Sequence, residues 1–127
     1  MTTKTARPTY LNLFTIRQPV TAVLSILHRL SGVLLFLTIP ALIYWLALSL
    51  RSASGYAEAM ALLRHPWVET TAILLAWALT HHLLAGIRFL LLDLDIGLSL
   101  RAARASAWLV LGLETGVMIW LAARLLL

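Results

Sequence analysis

Cysteine is absent from the 127 residues, which excludes disulfides, thiolate metal sites and iron–sulfur ligation by this chain. Charge is scarce too. Asp, Glu, Lys and Arg together make up 12% of the residues, about half of what a soluble domain carries. Acidic residues are the rarer sign, five against ten basic ones. Apolar residues take their place: 61% of the chain is hydrophobic and the mean hydropathy is +0.92. The length allows one small domain, and this composition makes that domain a set of spanning helices. The net charge of +5 does not point to nucleic acid, because the basic residues sit at the ends of apolar runs and form no stripe. No cleavable signal peptide is expected, since residues 1–19 lack a compact apolar stretch followed by a small-residue cleavage site.

The four prolines and the charges divide the chain. Residues 1–19, with Lys4, Arg7, Pro8, Arg17 and Pro19, read as an extended arm on the membrane face, because proline biases the residue before it away from the helix. Residues 20–127 read as a three-helix transmembrane domain, with spans expected at about 21–50, 67–92 and 104–126. Between Arg29 and Arg51 lie 21 residues without a charge, enough to cross a bilayer as a helix. Pro40 in their middle predicts a kink, and Tyr44 and Trp45 mark the far interface. The connection after Arg51 has room for a short amphipathic helix over residues 55–63.

Seven Lys and Arg fall on the side of the N-terminal arm and the second loop (Lys4, Arg7, Arg17, Arg29, Arg88, Arg101, Arg104). Three fall on the other (Arg51, Arg64, Arg124). The excess marks the cytoplasmic side. The fold class expected is therefore an all-α membrane protein with three transmembrane helices, N-terminus cytoplasmic and C-terminus periplasmic.

Two adjacent histidines, His81 and His82, stand inside the uncharged run of residues 70–87. Ionisable groups at such a depth are costly and face a protein interior. His82 lies six residues before Arg88, about 9 Å below the cytoplasmic end. Ser25, His28 or Arg29, and Gly32 follow helical spacing on the first span and share a face at a similar depth. Neutral imidazole is the common protein ligand of haem iron. Neighbouring histidines point about 100° apart on a helix, so only one of His81 and His82 can serve one haem. The other axial ligand must be His28 or a residue of a partner chain, the partner being favoured. Gly86 clears room for a flat macrocycle on the face of His82, and His28, Arg29 and Arg88 at the surface suit haem propionates.

Each residue also has a plain reading. Arg29 and Arg88 suit snorkelling anchors, and Ser25 and Ser31 suit bonds back to the preceding turn. Asp93 and Asp95 suit a solvated loop, and Glu114 near the centre of the third span suits a neutral carboxyl or one paired with another helix. The residue types alone leave both a cofactor-holding bundle and a structural anchor open.

The motifs go further. Arg7-Pro8, then Arg17-x-Pro19, then Ser25-Ile26-x-His28-Arg29-x-Ser31-Gly32 resembles the opening of the cytochrome b membrane-anchor subunit of succinate dehydrogenase. His82-x-x-x-Gly86-Ile87-Arg88-x-Leu90-x-x-Asp93 resembles the second signature of that family. The resemblance covers nearly the whole chain. It implies a subunit of succinate:quinone oxidoreductase in the bacterial inner membrane, with the mitochondrial inner membrane as the alternative, beside a second three-helix anchor, an iron–sulfur subunit and a flavoprotein subunit. It implies one b-type haem shared between the anchors and a ubiquinone site. His82 matches the axial haem ligand, with His81 second in line. His28 and Arg29 match the propionate side, Ser25 and Arg29 the quinone site, and Asp93 a position near the quinone pocket. The family often has His where this chain has Phe89, which removes any relay role there. Alternatives are a haem-less or fumarate-reductase-type quinone anchor and, in another class, a non-redox structural membrane protein.

Overall fold

A computed structural model describes residues 16–126, with helices α1 (Val20–Arg51), α2 (Ala53–Leu63), α3 (Pro66–Asp93) and α4 (Leu100–Leu126). The N-terminal arm and its Arg7-Pro8 motif lie, up to residue 15, outside the described residues. Among the described residues there is no strand, and α1, α3 and α4 are each long and apolar enough to cross a membrane. The three spans expected from charge spacing are borne out.

Each helix starts where its sequence supplies an acceptor. Pro19 is extended, and its carbonyl takes the first free N–H groups of α1, those of Ala22 and Val23. At 32 residues and 1.5 Å per residue, α1 is about 48 Å long, more than the hydrocarbon requires. It continues through Pro40 to Arg51. Ser52 then turns the chain, its Oγ accepting from the N–H of Gly55 at 3.0 Å, and caps α2. The short amphipathic helix expected over residues 55–63 is thus α2. It folds back on α1, where Trp45 Nε1 donates to the carbonyl of Ala59 at 3.0 Å. A Cβ on Gly55 would stand 2.5 Å from the carbonyl oxygen of Leu48, so only glycine allows this corner to close.

Pro66 opens α3 in the first-turn position that proline tolerates. Its far end closes with Asp95 and Gly97, both at positive φ, and Ile96 N–H bonds back to the Leu91 carbonyl at 2.9 Å. Ser99 caps α4, its Oγ accepting from Ala102 N–H and its carbonyl from Ala103 N–H. α4 therefore begins at Leu100, four residues earlier than expected. Arg101 and Arg104 lie in its first turns and not in the loop, because Leu-Arg-Ala-Ala-Arg contains only good helix formers.

The core is small: Leu24 of α1, Ala85 of α3, and Ala107 and Val110 of α4, with Val20, Leu84, Phe89 and Leu111 against them. Alanines at these contacts let the backbones approach closely, as spanning helices require. Most large apolar side chains point outward, Phe36 at 70% exposure among them, as suits a chain solvated by lipid and other helices.

Replacing Gly55 by Val should separate α2 from α1 at a cost of about 1–3 kcal/mol. The check is a lower thermal midpoint together with faster proteolysis at the α1–α2 corner around Ser52.

Candidate functional site

α1 and α3 are consecutive spans and so run antiparallel. Each carries His-x-x-x-Gly, His28 to Gly32 on one and His82 to Gly86 on the other. The structure brings the two motifs together. The imidazoles of His28 and His82 stack with centroids 4.2 Å apart and planes within 5°. Each ring lies over the other helix's glycine. A Cβ on Gly32 would meet His82 Cε1 at 2.8 Å, and one on Gly86 would meet His28 Nε2 at 3.4 Å. The space over Gly86, expected to admit a macrocycle, is filled by the His28 ring, because the helices approach closely there. Phe89 tilts onto His28 at 5.1 Å.

The hydrogen bonds set the tautomer of His82. Buried Ser31 donates its only proton to the carbonyl of His28, at 2.9 Å. Its oxygen, 3.3 Å from His82 Nδ1, can then only accept. The His28 carbonyl, 3.1 Å from the same nitrogen, also accepts. His82 therefore carries its proton on Nδ1, shared between two oxygens, and Nε2 keeps its lone pair. No hydrogen bond among the described residues reaches that Nε2.

His81, one residue earlier, faces α4 and is fully buried. Its Nδ1 is hydrogen-bonded to Glu114 Oε2, Trp77 stacks against it, and its Nε2 has no partner among the described residues. Glu114 thus takes the reading of a carboxyl paired with another helix. Arg88, expected at the surface, is only 5% exposed. Its Nε donates to Ser106 Oγ at 2.9 Å and an Nη to the Ala103 carbonyl at 3.0 Å. It shares the face of His81 and Ala85, which packs on α4, so it ties two helices instead of reaching for propionates.

Ser25 is half-buried one turn before His28, on the arm side, and Arg29 is exposed beside it. Asp93 is exposed at the end of α3, and no hydrogen bond or ion pair joins it to Ser25 or Arg29. These three form a polar fringe at the end of the bundle that holds the stacked histidines, not a closed pocket.

Comparison with known proteins identifies the family. Residues 3–122 match the family model of the succinate dehydrogenase/fumarate reductase transmembrane subunit. This chain belongs to that family. The succinate dehydrogenase cytochrome b556 subunit of Coxiella burnetii is 36% identical over 121 residues, covering 90% of this chain and 97% of the relative. The subunit of that name from Rickettsia typhi is 35% identical, covering 82% and 81%. That from Paracoccus denitrificans is 33% identical, covering 80% and 78%. The chain is thus a cytochrome b anchor subunit of succinate dehydrogenase.

Sequence reasoning missed the role of Ser31, which sets the His82 tautomer, and the clasp of α3 to α4. The signal for Ser31 was its spacing of three from His28, which put the two on one helical face. For the clasp, the signal was one acid at mid-membrane and one histidine to spare.

Replacing Glu114 by Leu strands His81 in hydrocarbon and should cost about 3 kcal/mol. Replacing both His81 and Glu114 by Leu should recover stability to within about 1 kcal/mol of the parent. Thermal midpoints of the purified complex distinguish these outcomes.

Proposed function

We propose that this anchor binds one b-type haem through His82, together with a second anchor subunit, and forms part of a ubiquinone-reduction site at Ser25 and Arg29. The observation that supports the haem reading is the unshared Nε2 of His82, on an imidazole whose Nδ1–H is fixed by a main-chain carbonyl and a serine. Such support from outside the metal's own ligands orients a liganding histidine and raises its basicity. The donor set fits haem iron. When bound, the haem would supply a one-electron store.

The other residue holding the haem would come from the second anchor subunit. His81 is committed to Glu114, and His28 is stacked side by side with His82. Two rings stacked side by side would not both serve one haem. His28 and Arg29 would hold the propionates by charge-assisted hydrogen bonds.

Reduction of a quinone takes two electrons and two protons. The Ser25 hydroxyl would donate a hydrogen bond to a quinone carbonyl oxygen, and the Arg29 guanidinium would stabilise the negative charge that develops there. Asp93, at the same end, would face the water from which protons come. No residue here oxidises succinate. That step belongs to the flavoprotein subunit, with electrons delivered by an iron–sulfur subunit docked on the basic face. In this reading the basic face is cytoplasmic and the bilayer is the bacterial inner membrane.

The test is a reduced-minus-oxidised spectrum of the purified complex. A low-spin b-type α-band is expected in the parent and in His81→Leu/Glu114→Leu, and is expected to be lost or shifted in His82→Ala. A parent complex with all its subunits and no such band would replace this reading with that of a quinone-only anchor. Ser25→Ala should lower succinate:ubiquinone reductase activity about tenfold or more, while dye-linked succinate oxidation by the soluble subunits stays unchanged.

A further inference from the structure

The packing of α4 on α3 stops half-way through the bilayer. The buried residues of α3 are Ala78, His81, Ala85 and Arg88, and their counterparts on α4 are Ala107, Val110 and Glu114. Beyond Ala78 on α3 and Glu114 on α4, towards Pro66 on the one and Arg124 on the other, neither helix buries a residue. There the two helices flank an apolar cleft of about 530 Å³, walled by Ala72, Ala76, Met118 and Ala122 among others, with Glu69 and Arg124 at its mouth. A second cleft of about 370 Å³ adjoins it at Trp77 and Thr115 and shares Met118 and Ala122.

We propose that this cleft holds an acyl chain of a zwitterionic phospholipid of the ethanolamine type, its phosphate on Arg124 and its ammonium on Glu69. An apolar void between spanning helices forfeits dispersion contacts on every wall, so in hydrocarbon it fills with a neighbouring chain or a neighbouring helix. A neighbouring helix laid along the cleft would have to answer both Glu69 and Arg124 at its mouth, whereas a lipid headgroup carries both complementary charges itself.

Charge decides the headgroup. Glu69 lies in the first turn of α3 and Arg124 in the last turn of α4. Both are exposed, and no ion pair joins them. Arg124 is held 5.6 Å over the Trp120 ring. A guanidinium and a carboxylate flanking one apolar slot complement a phosphate and a primary ammonium carried on the same lipid, whereas an anionic headgroup would meet Glu69. The site is on the α4 side of α3, away from the His28–His82 face, and does not depend on the haem reading.

Native mass spectrometry of the intact complex in mild detergent, supplied with equal phosphatidylethanolamine and phosphatidylglycerol, tests it. The expected result is one retained phosphatidylethanolamine per copy of this chain. Arg124→Ala should retain it about tenfold less, as for the loss of one charge-assisted hydrogen bond. Glu69→Lys should reverse the preference towards phosphatidylglycerol, and Ala76→Phe, which fills the slot, should abolish retention. The two mouth substitutions are at exposed positions, so they decide the matter even if Ala76→Phe fails to assemble. A fully assembled complex that retains no phospholipid, or one whose preference Glu69→Lys leaves unchanged, overturns the proposal.

Discussion

The hydrogen bond from His82 Nδ1 to the main-chain carbonyl of His28 organises the half of this molecule that carries the candidate site. In hydrocarbon a polar nitrogen has no water to fall back on. Satisfying Nδ1 with a fixed oxygen settles the tautomer, the ring plane and the direction of Nε2 together. Ser31 tightens the arrangement. By spending its proton on the same carbonyl, it offers Nδ1 a second acceptor, so the imidazole cannot flip without losing both. The glycine at position 32 makes the contact possible, since any Cβ there would displace His82 Cε1.

The same economy accounts for the other face of α3. A helix with two adjacent imidazoles presents polar groups in two directions about 100° apart, and each direction needs an answer. α1 answers one with a carbonyl and a hydroxyl, and α4 answers the other with the Glu114 carboxyl. Arg88, two turns beyond His81 on that face, finds Ser106 and the Ala103 carbonyl. The polar pairs and the alanines between them hold α4 in place where the apolar core is too small to do so alone. α3 is therefore the axis of the chain, with the candidate redox face on one side and a structural clasp on the other.

Much of this was legible before the fold. The gap between Arg29 and Arg51 and the uncharged run around His81 and His82 located spans by charge spacing alone. Helical periodicity put Ser25, His28 and Gly32 at the depth of His82, and the stacked rings bear that meeting out. The rotation of one helix against another was not legible. Nothing in the sequence says that Glu114, 33 residues away, faces His81, or that Arg88 turns inward, because long-range pairing depends on which faces pack. Gly86 was read as space for a macrocycle when it is space for His28. Its small size was visible, but what fills that space belongs to the opposite helix. The early start of α4 is a local matter, a Ser99 cap followed directly by good helix formers.

The reciprocal His-x-x-x-Gly pair explains how so short a chain can hold ionisable groups in a membrane with so little core. In antiparallel helices, a histidine four residues before a glycine on each strand of the pair places each ring in the other's gap, and one set of close contacts serves both. The backbones come near enough for a main-chain carbonyl of α1 to reach a side chain of α3. What remains outward on that face is a lone pair that the chain's own described residues do not use. An imidazole held by two acceptors at Nδ1, with Nε2 unshared, is disposed to meet an electrophile. Haem iron from between two anchors is the electrophile that the family membership and the donor chemistry together support.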